Sequence, residues 1–218
     1  MKSRDNGETA EQTATTILGL QEEPSGGDLR RSVGHCDEVG STLPFALNVA
    51  ADAYWRFFGC GYGMQSRHEA DVSTSTIARA FKIRTDSEGF TSKVTGKYSA
   101  RRYVDSDGSI VIVWTGSGDV EEIGDVTFNG VQVHKRGWIK LRRVPRQGAN
   151  QQSTSTVVEA SFETIPMLHD SIENKKQEAQ KFLDVVAKSY HILDKLFCNR
   201  MGSLLVEEDW KATFNTTS

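Results

Sequence analysis

Between residues 72 and 165 the chain alternates apolar and polar side chains in five stretches, 72–83, 91–104, 109–116, 131–144 and 153–165. A period of two, with enrichment in Val, Ile, Thr, Phe, Tyr and Trp, predicts β-strands with one wet face. The stretch 110–114 is apolar on both faces, so it is expected at the centre of a sheet. Asp105-Ser106-Asp107-Gly108 and the residues around Gly148 are turn formers. The link at 105–108 is too short for a parallel return, which takes a dozen or more residues, so the pairing there is antiparallel. Helical periods flank the strands on both sides. In the first, Leu47, Ala50, Tyr54 and Phe57 share a face; Ser41 or Thr42 is the expected cap, with Pro44 inside the start and Gly59 past the end. In the second, predicted over 170–198, Ile172, Ala179, Phe182, Leu183, Val186, Tyr190, Leu193 and Phe197 share a side, and Asp170 with Glu173 resembles a capping box. At about 1.5 Å per residue that helix would be roughly 43 Å long, enough to cross a sheet.

A helix, a run of antiparallel strands and a long amphipathic C-terminal helix predict an α+β fold in which the last helix seals the concave side of a curved sheet. Gly96 and Gly137, inside predicted strands, are candidate bend sites. Residues 1–40 carry four basic and eight acidic side chains and few large apolar ones, and are expected to be a mostly disordered acidic tail. The folded domain is expected over 41–212, where 22 basic and 21 acidic residues to residue 218 leave almost no net charge. That balance provides no overall field for nucleic acid, so none is expected as a partner. No apolar run reaches the roughly 18 residues of a membrane span, and the first ten residues are too polar to open a signal peptide. Three cysteines, Cys36, Cys60 and Cys198, without C-x-x-C spacing, fit a reducing compartment, so a cytoplasmic location is expected.

The run Gly96-Lys97-Tyr98-Ser99-Ala100-Arg101-Arg102-Tyr103-Val104-Asp105, then Gly108-Ser109-Ile110-Val111-Ile112-Val113-Trp114, then Val133-His134-Lys135-Arg136-Gly137-Trp138-Ile139 and the long capped helix resembles the second half of START-like (StAR-related lipid-transfer) domains of the helix-grip superfamily. The similarity runs from residue 43 to about 208. A full domain of this kind places a further helix and strands before residue 41, which the polar first 40 residues do not supply, so the N-terminal side is expected to be incomplete or completed by a partner. The resemblance implies non-catalytic binding or transfer of a lipid, sterol or similar hydrophobic molecule beneath the C-terminal helix, with no cofactor.

Candidate ligand contacts follow from that implication. Arg79 alternates with Ile77, Phe81 and Ile83, so an inward face would carry its guanidinium inside, where a ligand headgroup could meet it; the alternative is a head that snorkels past the sheet edge. Tyr103, Trp114, Trp138, Phe162 and Tyr190 lie on elements expected to line the interior, as ligand contacts or as packing. Trp138 shares its face with Lys140 and Arg142 and is expected nearer to water than Trp114.

Other chemistry finds little support. The run from His134 to Arg146 holds six cations that could touch a membrane surface transiently, but alternation sends Lys140 and Arg142 to one face and Arg143 to the other. The glycines around Cys60 follow a helix and lack a phosphate-loop order. Asp105-Ser106-Asp107-Gly108 runs into Ile110 where a calcium loop needs glycine. No zinc set, nucleophile elbow or His-Glu-x-x-His helix is present, so catalysis is not expected. The rival to ligand binding is a protein-interaction module with a filled interior, whose exposed sheet edge pairs with another chain or with a second copy.

Overall fold

A computed structural model describes residues 41–60, 70–72, 75–87, 90–144 and 155–214. The expected acidic tail, the glycine-rich loop after residue 60 and the turn around Gly148 fall outside these residues. Strand β1 (Ser41–Leu43) leads into helix α1 (Leu47–Cys60), followed by β2 (Ala70–Val72), β3 (Thr76–Ser87), β4 (Phe90–Val104), β5 (Ile110–Ile123), β6 (Val126–Arg143), β7 (Thr156–Leu168) and helix α2 (Lys175–Phe214). The seven strands form one antiparallel sheet in the order β1-β7-β6-β5-β4-β3-β2, with β5 at the centre where its doubly apolar start belongs. This is an α+β, helix-grip arrangement: a curved sheet holding a long C-terminal helix.

Several boundaries differ from the sequence reading, each for a local reason. Ser41 and Thr42 do not cap α1; they belong to a strand paired with β7, Ser41 opposite Val158 and Leu43 opposite Thr156. Ser41 and Leu43 point inward and are buried, and Pro44 ends the pairing because it lacks an N–H. The Thr156 hydroxyl donates to the Phe45 carbonyl at 2.8 Å and fixes the corner. A short strand therefore lies on each side of α1, so the sheet has edges that the five long stretches did not include. Strand β5 runs on through Gly116 and Gly118 to Ile123, and a two-residue turn at Gly124-Asp125 returns the chain as β6. Gly124 has a φ of 59°, which a Cβ would disfavour. Helix α2 starts at Lys175, with Asp170 in the preceding turn bound to the Lys175 ammonium at 2.6 Å. It runs 40 residues, about 60 Å at 1.5 Å each, because 199–214 contain no breaker except Gly202. Val206, Trp210 and Phe214, spaced four apart on its final turns, remain exposed.

The apolar core divides in two. One cluster joins α1 (Leu47, Ala50, Tyr54, Phe57) to Ala100, Ile112, Leu141 and Val158 of the sheet and to Met201, Leu204 and Leu205 of α2. The other joins Phe90, Val120, Ile123, Phe128, Val131 and Val133 to Phe182 near the start of α2. Phe57 meets Phe197 edge-on at 5.1 Å in the first, and Phe128 meets Phe182 at 5.6 Å in the second. Arg56 ties α1 to α2 through Glu207 at 2.5 Å and Glu208 at 2.8 Å. Irregular register between Lys93 and Val94 of β4 and between Val120 and Glu122 of β5 adds local twist.

Candidate functional site

Side chains that face each other across antiparallel strands share a face, so the register maps the concave surface row by row. One row runs Arg79, Tyr98, Gly116, Lys135, Thr164; the next runs Ile77, Ala100, Trp114, Gly137, Phe162. Along each inward stripe the ends are closed and the middle is open. Ser92 and Ala100 of β4 are buried while Val94, Gly96 and Tyr98 between them keep accessible surface. On β6, Val133 and Leu141 are buried while Lys135, Gly137 and Ile139 are not. On β5 the opening falls at Trp114 and Gly116, and on β7 at Phe162 between buried Ala160 and Thr164. These openings lie side by side in register. We call this region of incomplete burial, between the two packed clusters on the face against which α1 and α2 pack, the hollow.

Glycine makes part of the hollow's floor. Gly116 and Gly137 face inward and present no side chain, and the strands crowd around them. A Cβ on Gly137 would lie 2.5 Å from the Ser161 carbonyl oxygen, and one on Gly96 would lie 2.3 Å from that of Ser117. Gly96 and Gly137, the candidate bend sites, do not coincide with the register irregularities; at both, close approach of the neighbouring strand leaves no room for a Cβ. Aromatic rings line one flank, with Phe81 and Tyr98 centroids 5.9 Å apart, Tyr98 and Phe58 6.4 Å apart, and Phe58 and Trp114 6.2 Å apart.

Of the residues singled out from the sequence, Arg79, Trp114 and Phe162 reach this concave surface. Arg79 faces inward but donates through Nη1 to the Gly59 carbonyl, and the Tyr98 hydroxyl donates to the Phe58 carbonyl. Both groups satisfy the last turn of α1, where carbonyls lack helical partners and cations are favoured. The guanidinium is therefore engaged by the protein in the position proposed for a headgroup. Tyr103 and Trp138 require correction, because they have the opposite alternation and sit on the outer face. Tyr103 is 42% exposed, with the Arg101 guanidinium 5.1 Å from its ring centre. Trp138 lies opposite Val113 and Ser161 and forms a wall of an outer groove of about 440 Å³. Tyr190 lies on α2, and its side chain is outside the described residues. A second outer groove, of about 470 Å³, is lined by Thr95, Lys97, Ser117 and Gln132.

Three cations of the basic run lie close to acids. Arg136 pairs with Glu163 at 2.6 Å, Arg142 with Glu159 at 2.7 Å, and Lys140 lies 3.7 Å from both Asp105 and Asp107. Lys135, just before them in sequence, is not among the residues singled out from the sequence. It has the alternation of Val131, Val133 and Leu141, and counting by twos from those positions would have placed it inside. Burial pushes its ammonium pKa down, with no compensating charge nearby, yet its side chain keeps accessible surface. By surface area Lys135 is exposed, so the space in front of it is open to water. Among the described residues Lys135 has no hydrogen bond or ion pair.

The remaining titratable groups offer little reactivity. The half-buried Cys198 thiol is pushed up to about 12 by burial and by Asp194, whose carboxylate accepts its hydrogen bond at 3.5 Å. A thiol so protonated is a poor nucleophile. No group of metal-ligating side chains occurs among the described residues, and no helix among them is long and apolar enough to cross a membrane.

No family model matches the chain, and no curated protein matches it. Solved structures do match at 10% identity. An aromatase/cyclase from Streptomyces sp. R1128 covers 81% of this chain and 94% of its own, with a TM-score of 0.44. A conserved protein from Geobacillus kaustophilus covers 77% and 93%, also at 0.44. A protein from Rhizobium leguminosarum covers 78% and 97%, at 0.36. None of these matches points to a START domain in particular. One expectation is corrected by them: catalysis was set aside because no catalytic signature is present, and a chain matched over most of its length is an enzyme, so a missing signature does not exclude one.

Proposed function

We propose that this chain binds a hydrophobic small molecule, a lipid or sterol, in the hollow between the sheet and α2. The observation that supports the reading is the in-register opening of four adjacent inward stripes, flanked by two clusters that are themselves tightly packed. A filled interior would have buried Trp114, Ile139 and Phe162 as completely as Ile112 and Leu141. Apolar walls with a few polar groups are the usual composition of small-molecule sites.

The test is titration of the full chain with a neutral fluorescent sterol, combined with solvent extraction and mass spectrometry of whatever copurifies. Saturable binding of one molecule per chain, displaced by an unlabelled competitor, is expected. Linear, non-saturable uptake with nothing extracted would reject the reading.

A further inference from the structure

We propose that Lys135 is the recognition point of the hollow, an ammonium that selects hydrophobic ligands with a single anionic head, a carboxylate above all, over neutral molecules of the same shape. The proposal rests on the ligand-binding reading above and names the chemical class that the hollow prefers.

Three observations carry it. First, register places Lys135 on the concave face, between Gly116 on β5 and Thr164 on β7. Its neighbour on β5 is glycine, which offers no side chain to meet the ammonium. Second, the other inward cation in the same row, Arg79, already binds the end of α1, while Lys135 has no hydrogen bond or ion pair among the described residues. Exposed on the concave face and with no acid of the chain opposite it, the ammonium is free to meet a ligand carboxylate. The lowered ammonium pKa, caused by burial alone, agrees with an unmet charge. Third, the polar end of the hollow is set against an apolar one: Trp114, Phe162 and Ile139 lie one or two rows away on the same surface. An apolar body with an acidic end matches that order.

The experiment compares two fluorescent probes with the same body, 11-(dansylamino)undecanoic acid and its methyl ester, against the full chain and its Lys135→Met variant. Methionine keeps the length of the side chain at an exposed position without an ion pair, so the variant is expected to unfold at a temperature close to the parent's. The parent should bind the acid at least tenfold more tightly than the ester. The variant should lose that preference while its affinity for the ester changes less than twofold. Equal affinities of the parent for acid and ester, or a preference that survives Lys135→Met, would overturn the role of Lys135 and leave the hollow as a site for neutral ligands. Failure of both probes and of the neutral sterol to saturate the parent would overturn the ligand-binding reading, and the role of Lys135 with it.

Discussion

At the scale of single residues, glycine placement and carboxylate hydrogen bonding each make a measurable claim. The Cβ that Gly137→Ala introduces meets the Ser161 carbonyl at 2.5 Å and the Phe162 Cβ at 2.8 Å, neither of which is the flexible end of a side chain. Overpacking of this kind typically costs about 1–3 kcal/mol, and urea denaturation should show a loss in that range. Gly108, with open space around it, owes its identity to a φ of 76° and not to crowding. Glu122 is held below the ordinary carboxylate range, chiefly by the Lys93 ammonium and next by the Thr91 hydroxyl at 2.7 Å. Its folded form thus binds a proton less readily than its unfolded form. The stability it contributes is complete above the unfolded value and drains away as the pH falls through the lowered one. Stability measured from pH 6 down to pH 3 should fall less steeply in Glu122→Gln than in the parent; an identical slope would show that the pair has no such linkage.

At the scale of elements, α2 belongs to both apolar clusters, so its two ends can be loosened independently. Phe182 and Leu204 are both buried, one in each cluster. Phe182→Ala should cost about 3–5 kcal/mol and Leu204→Ala about 2–5 kcal/mol. The sites are 22 residues apart on a straight helix, so the double variant should lose the sum of the two to within about 0.5 kcal/mol. The long strands were legible from periodicity, and the central place of β5 from its doubly apolar start; of the predicted helical face Phe182, Leu183, Val186 and Phe197 pack inward, while Leu193 is exposed and Val185 and Ile192 pack in addition. Strands β1 and β2 were not, since three residues are too few to show a period. Gly116-Ser117-Gly118 reads as punctuation in the sequence but lies mid-strand, where the neighbouring strand leaves little room for a Cβ. The site was legible only in part for a related reason. Alternation assigns faces correctly once a buried residue fixes the phase; the aromatic chemistry of Tyr103 and Trp138 points to the interior, and the basic neighbours of Lys135 point to the surface, against that phase.

At the scale of the whole molecule, the outer face carries its charges in pairs, and that bears on what the protein can approach. Arg136, Arg142 and Lys140 each have an acid close by, and exposed pairs of this sort contribute at most about 1 kcal/mol apiece to stability while cancelling one another's field. Sedimentation with vesicles containing phosphatidylserine should accordingly show no salt-sensitive association; binding that weakens as sodium chloride is raised would mean that the basic run acts as a patch despite its pairing. The division of the core into two has a consequence for entry. A rod held by two separate clusters can yield at one while the other keeps the architecture registered, so on the ligand-binding reading proposed above a guest need not wait for the whole protein to come apart. The less tightly held cluster then sets how quickly the interior exchanges its contents.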